Sequence, residues 1–139
     1  MHKAQSAFSQ CSRPVIVEDD GLFINSLNGF PGPYSSFAYK TIGNKGILNL
    51  LKSERKATFQ SVIAYCEKKG DILLFKAVMN GKISRKPMGK RWGYDPIFIP
   101  EGQTKTYAQL DNKNLVSHRY LATKKFANWY LHKQESSDL

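Results

Sequence analysis

The chain has little cysteine, and none of it is arranged for chemistry. Cys11 and Cys66 stand far apart and form neither a disulfide framework nor a paired metal-binding motif. No apolar run approaches the ~18 residues of a membrane span. The opening residues, Met1 to Gln10, lack the apolar centre of a secretion signal. A reducing cytoplasm is therefore the expected compartment, with no membrane partner. No serine sits in a GxSxG setting, which argues against a nucleophile-elbow hydrolase, and neither a repeat nor a long linker is present. Negative charge is also scarce: 11 Asp+Glu face 21 Lys+Arg, a net charge of +10. This balance favours an anionic partner, whether nucleic acid, a membrane surface or a phosphorylated small molecule, and does not choose among them. Plain solvation of the surface fits it as well.

What is present reads as one domain over residues 1–139, with 41% apolar residues to build a core. Residues 3–12 have the pattern of an amphipathic helix stopped by Arg13-Pro14. Val15-Ile16-Val17 then reads as a strand buried on both faces, and Leu22-Phe23-Ile24 continues the extended character. Asn28 to Pro33 is turn chemistry, and helical spacing resumes over 44–52. Thr58 to Tyr65 and Ile72 to Val78 are strand-like and flank Lys68-Lys69-Gly70-Asp71, a hairpin turn. A basic loop runs from Gly81 to Arg91, followed by a short strand, Ile97-Phe98-Ile99. A final helix spans roughly 117–132, with Ala122, Phe126, Trp129 and Tyr130 on one stripe. Gln134 to Leu139 reads as a frayed polar end. Strands mixed with helices predict an α/β domain or an α+β one.

Three blocks carry chemistry. Glu18-Asp19-Asp20 is expected at a strand end, where α/β folds place ligands, with Glu18 and Asp20 on one face and Asp19 on the other. Packed carboxylates repel unless a cation or proton intervenes, and Mg²⁺ is suited because it takes one or two carboxylates plus water and phosphate. A polar turn with Asp-Gly at its tip fits the same letters. Trp92-Gly93-Tyr94-Asp95-Pro96 sets two rings around a residue with no side chain, then a carboxylate restricted by the following proline. Stacking a base on such a ring is worth about 1–3 kcal/mol, although core-filling aromatics would read alike. In the third block Ser117 is a plausible N-cap, with His118 and Arg119 in the first turn and Lys113 just before it. Cations there oppose the helix dipole, a mismatch that a bound phosphate would relieve. His2 and His132 have no partner at metal-ligand spacing and read as surface residues.

Taken together, these blocks resemble the inosine triphosphate pyrophosphatase family. The segment Glu18 to Ser35 carries the likeness, as do Gly81-Lys82-Ile83-Ser84, Gly93 to Phe98, and Lys113-Asn114 through Ser117-His118-Arg119. The match runs in order along nearly the whole chain. It implies a two-lobed α/β fold with a mixed twisted sheet flanked by helices, and a homodimer. It implies Mg²⁺-dependent hydrolysis of inosine, deoxyinosine and xanthosine triphosphates to the monophosphate and pyrophosphate, which cleanses the nucleotide pool. By this likeness Asp19 is the catalytic carboxylate and binds Mg²⁺, with Glu18 as its acidic neighbour at the metal. Asp20 stands where many members have Ser or Thr touching substrate, and Trp92 where many have Phe. Gly93, Tyr94, Asp95, Lys113, His118 and Arg119 fall at substrate-binding positions.

The resemblance also implies a preceding strand, a Thr/Ser-Gly-Asn loop followed by a lysine, a helix and a second strand with a metal-binding glutamate. That segment needs about forty residues and is not in this sequence, so the family fold is expected without its first strand-helix-strand. Two other readings remain: a non-catalytic nucleotide binder of the same fold, and a KH-like RNA-binding module. The latter rests on Gly43-Asn44-Lys45-Gly46 as a GXXG loop. It leaves the second and third blocks unexplained, so nucleic acid is not the expected partner.

Overall fold

Alternation is what builds this molecule. The structure, a computed structural model, describes residues 2–138 apart from the side chains of Leu115 and Val116. Strands β1 (Val15–Ile24), β2 (Lys56–Lys68), β3 (Asp71–Ile83) and β4 (Phe98–Pro100) form one sheet in the order β1-β2-β3-β4, antiparallel at every pairing. Glu18, Asp20, Leu22 and Ile24 share one face with Ala57, Phe59, Ser61 and Ile63, because Asp20 pairs with Ser61 and Leu22 with Phe59. Val15, Val17 and Asp19 share the other face with Val62, Ala64 and Cys66. The β2–β3 hairpin closes through Lys69-Gly70, and Gly70 takes φ +88°, which a side chain would strain.

Helices cover the two faces unequally. Helix α1 (His2–Cys11) lays Ala4 and Phe8 over Val15, Val17, Ala64 and Cys66. Helix α5 (His118–Ser137) packs the opposite face, setting Ala122, Leu121 and Phe126 against Ile63, Phe75 and Ala77. Its aromatic stripe is as expected: Phe126 and Trp129 lie 5.6 and 5.4 Å from the Phe75 ring. The largest cluster, Leu22, Ile24, Phe59, Ile83, Tyr94, Ile97, Phe98 and Tyr107, joins the sheet to the segment after β3 and to Ile47 of α3 (Gly43–Leu50). Each of these side chains contributes about 1.5–3 kcal/mol by leaving water.

The architecture is α/β with helices flanking a sheet. Four local expectations change. The run Val15 to Val17 is not buried on both faces: Ile16 is 55% exposed, because α1 covers the face of Val15 and Val17 while α5, on the other face, packs on β2 and β3. The acidic block sits within β1 rather than at its end, since Glu18 to Gly21 keep full pairing with β2. The polar tail continues α5 through Ser137. The Gly43–Gly46 segment is also not a loop. It is the first turn of α3, with Asn44 Nδ2 donating to Gly93 O at 3.0 Å, which removes the basis for a KH-type clamp. Among the described residues no helix is long and apolar enough to cross a membrane.

Candidate functional site

The three blocks converge on one cleft. Asp20, Trp92, Gly93, Tyr94, Asp95, Lys113, His118 and Arg119 line a cavity of about 110 Å³, completed by Ser35, Ser36, Tyr39 and Phe59. Helix α2 (Ser35–Thr41) supplies one wall. It is fixed by Ser35 Oγ, which accepts from Leu22 N at 2.9 Å and donates to Gly32 O at 2.7 Å. The segment Gly93–Asp95 supplies another wall, tied to α2 by the Tyr94 hydroxyl donating to Ser35 O at 2.6 Å. Burial holds the Tyr94 phenol proton tightly, pushing its pKa to about 12. Gly93 takes φ +68° with open space where a Cβ would project, so the backbone is approachable there. Trp92, 84% exposed, leans on Tyr39 with ring centroids 6.0 Å apart.

The floor is charged. Lys113, which opens the short helix α4 (Lys113–Val116), ion-pairs with Asp95 through Oδ2, both side chains largely buried, and its ammonium lies 5.1 Å above the Tyr107 ring. The N-cap role of Ser117 holds: its Oγ accepts from Tyr120 N at 3.1 Å. The side chains of that first turn are met by β1 carboxylates. Arg119 Nε donates to Glu18 Oε1 at 2.6 Å, and His118 Nε2 lies 3.8 Å from Asp20 Oδ2. Burial raises the Glu18 carboxyl above its ordinary value, opposed by Arg119. Burial also raises Asp20, but His118 and Ser61 outweigh it and leave the carboxyl lowered.

Phe59 is a site residue that the blocks did not reveal. Its ring stacks on the His118 imidazole at 4.2 Å and 11° between planes, fixing the ring's plane in the cleft. The only sequence signal was its inward register on β2. Tyr39 had no signal short of the fold, and Ser35 only its place at the end of the likeness that runs from Glu18 to Ser35.

Asp19 lies elsewhere. Alternation turns it to the opposite face, where it is 73% exposed and pairs with Lys3 at 3.4 Å. There it lines a second cavity of about 400 Å³ with His2, Gly21, Phe23, Gly32 and Gln60. Asp20 borders both cavities, and β1 has no strand beyond it among the described residues. The two cavities therefore adjoin across the β1 edge. Glu18 is not brought to Asp19, so the described geometry does not let the two share one ion. No cluster of three His, Cys, Asp or Glu side chains suited to a metal occurs among the described residues. Of the three acidic residues of this block, Asp19 is the exposed one, and its carboxylate fits a hard cation that takes most of its ligands from water and phosphate.

With the geometry established, the relatives are informative. The chain matches the Ham1 family over residues 1–129. It belongs to the Ham1 family. The dITP/XTP pyrophosphatase of Methanopyrus kandleri is 54% identical over 123 residues, covering 85% of this chain and 65% of that protein. The one from Hyperthermus butylicus is 47% identical over 133 residues, covering 92% and 70%. This chain thus spans about two thirds of the length of such relatives. Among solved structures, a HAM1 protein from Coxiella burnetii superposes with a TM-score of 0.86 at 34% identity, covering 94% of this chain and 74% of that one. The Staphylococcus aureus Ham1 protein gives 0.86 at 32% identity, covering 94% and 73%. This Ham1 chain therefore shares its fold with solved members of the family.

Proposed function

We propose that this Ham1 chain binds deaminated purine nucleoside triphosphates and carries the base-recognition and water-activating parts of a nucleoside triphosphate pyrophosphatase. The convergence of Trp92–Asp95, Lys113 and His118–Arg119 on one cleft carries the reading, and the names of the relatives support it. The base enters beside Trp92 and Tyr39, where ring stacking is worth about 1–3 kcal/mol. Gly93 lets it approach the backbone. Asp95, with Oδ2 held by Lys113, offers Oδ1 to a purine N–H. Inosine and xanthine carry an oxo acceptor at position 6 where adenine carries an amino donor. Donors fixed at that edge, the N–H groups of Lys113 and Arg119 not engaged by Asp95 and Glu18 among them, find no acceptor there in adenine, which disfavours ATP.

The phosphates cross the β1 edge at Asp20 and Gly21 toward Asp19. A Cβ at residue 21 would meet Gly32 O at 3.0 Å, so glycine keeps this crossing shallow. Asp19 takes the proton of the attacking water, which adds to the triphosphate as the monophosphate separates from pyrophosphate. Asp19 would also hold Mg²⁺, which when bound supplies charge neutralisation on phosphate oxygens. His118 and Arg119 hold their place through Asp20 and Glu18, so those carboxylates act as positioning groups. The setting is cleansing of the nucleotide pool, in the cytoplasm and as a homodimer.

The test is pyrophosphate release from inosine, xanthosine and adenosine triphosphates with Mg²⁺, for this chain and for Asp19→Asn. Release from the oxo-purines that drops at least 100-fold in Asp19→Asn is expected. Equal rates for the two proteins would remove Asp19 from the reaction. A rise in Tm with inosine triphosphate but no pyrophosphate would leave binding alone.

A further inference from the structure

The end of the sheet opposite the hairpin concentrates positive charge without partners. Two adjoining cavities, about 480 and 760 Å³, share Lys56, Lys82 and Ile99 and so form one groove. Neither contains a residue of the base cleft. Lys56 and Lys82 are direct cross-strand partners on β2 and β3, and like charges so placed are destabilising. Beside them Arg55 lies close enough to Arg85 that, after burial, the second guanidinium is what weakens the first one's hold on its proton. Lys86 adds a further cation. Among the described residues none of these cations has a carboxylate partner. Two carboxylates border the groove. Glu54 accepts from Lys56 N at 2.8 Å, and Glu101 lies at the far end.

The groove is also prepared. Arg55 is pinned by donating from Nε to Ile83 O at 2.9 Å, from Nη2 to Ser84 O at 2.6 Å and from Nη1 to Lys52 O at 2.9 Å. A guanidinium so held loses little freedom when an anion arrives. Asn25, Thr58, Asn80 and Gln103 line the continuation with neutral donors. No aromatic side chain lines either cavity.

We propose that this groove is a binding site for a short chain of phosphates, recognised without base or sugar. Phosphates in a chain follow one another more closely than the side-chain carboxylates of a peptide, which matches cations crowded onto opposite strand positions. Single-stranded nucleic acid is disfavoured because its sequence-tolerant binding relies on aromatic stacking, which the groove does not offer. The unfavourable Lys56–Lys82 and Arg55–Arg85 proximities are the mark of a site shaped for charge that a ligand brings.

Inorganic tripolyphosphate is titrated into the full chain and followed by calorimetry and by backbone amide shifts. The wild type is compared with the double variant Lys82→Ala/Arg85→Ala and with the cleft variant Lys113→Ala. Shifts at 53–56 and 82–86 are expected, with at least a tenfold loss of that binding in the double variant and none in Lys113→Ala. Without anion the double variant is expected to raise Tm, because it removes like-charge contacts, so misfolding cannot mimic the loss. Shifts confined to the base cleft, or binding that survives the double variant, would overturn the proposal. So would adenosine triphosphate or a single-stranded oligonucleotide binding at this groove tenfold more tightly than tripolyphosphate. The base-cleft reading is tested separately by pyrophosphate release and stands or falls without this site.

Discussion

Separating the Asp95–Lys113 pair is expected to loosen the cleft by a measurable amount. The Asp95 side chain is 12% exposed and that of Lys113 18%. Breaking a buried pair by removing one partner costs about 3–5 kcal/mol, whereas an exposed pair is worth about 0–1 kcal/mol. Lys113 keeps one escape: its ammonium already lies over the Tyr107 ring and its stem is flexible. We therefore expect Asp95→Asn to lose about 2–3 kcal/mol. That is a large part of the ~5–15 kcal/mol that holds a domain together, and about 6–10 °C in Tm for a chain of this size. Lys113→Met buries a lone carboxylate and is expected to lose a similar amount. Urea denaturation of the wild type, both single variants and the double variant gives the coupling directly, expected at about 2 kcal/mol. If the single losses add to within ~0.5 kcal/mol, the pair is not what holds Gly93–Asp95 against the floor.

Tyr94→Phe removes the hydroxyl bond to Ser35 O and is expected to destabilise by about 1–2 kcal/mol, read from the urea midpoint. In an alkaline absorbance titration the same variant loses the tyrosine that ionises at about 12. Because folding raises that pKa, its contribution is intact below about pH 10 and lost as pH climbs through the raised value. Gly81→Ala is expected to cost about 2–3 kcal/mol, since a Cβ there would sit 2.3 Å from Ile99 O where β3 meets β4. An unchanged Tm would mean that β4 can shift freely. Asp20→Asn and Glu18→Gln are expected to tilt the acid limb of stability in opposite directions. The lowered carboxyl of Asp20 contributes stability that disappears as pH falls below its ordinary 3.8. The raised carboxyl of Glu18 contributes stability that is complete below 4.5 and lost as pH rises through its shifted value. Thermal melts between about pH 2 and 7, within the range where carboxylates titrate, separate the two.

Much of this was legible in the sequence because the signals were local. The Lys69-Gly70 turn, the alternation of β2, the Ser117 cap and the Phe126 stripe each depend on a few neighbouring residues. What was not legible depended on which element ends up where. Val15 to Val17 has the composition of a strand buried on both faces, yet that burial needs a layer over each face, and α5 packs over β2 and β3. Among the described residues β1 has only β2 as a neighbouring strand. The polar C-terminus looked frayed because few side chains there pack, but helical hydrogen bonds and the Lys133–Glu67 ion pair carry α5 on to Ser137. Phe59 and Tyr39 entered the cleft only through pairing and docking, which no short motif encodes.

The acidic run shows the limit most clearly. In the sequence Glu18, Asp19 and Asp20 read as one cluster, and repulsion among them argued for a metal. In the strand the period of two splits them, and the repulsion is met differently on each face. Glu18 and Asp20 face the α5 N-terminus, where Arg119 pairs with Glu18 and is thereby excused from opposing the helix dipole, and His118 Nε2 lies 3.8 Å from Asp20. Asp19, on the other face, keeps only an exposed contact with Lys3 and remains free to meet water and phosphate. The pair most tightly engaged by the fold is therefore the pair least available for chemistry. Under the proposed function the same three letters divide into two positioning groups and one reactive one, set on opposite faces of β1.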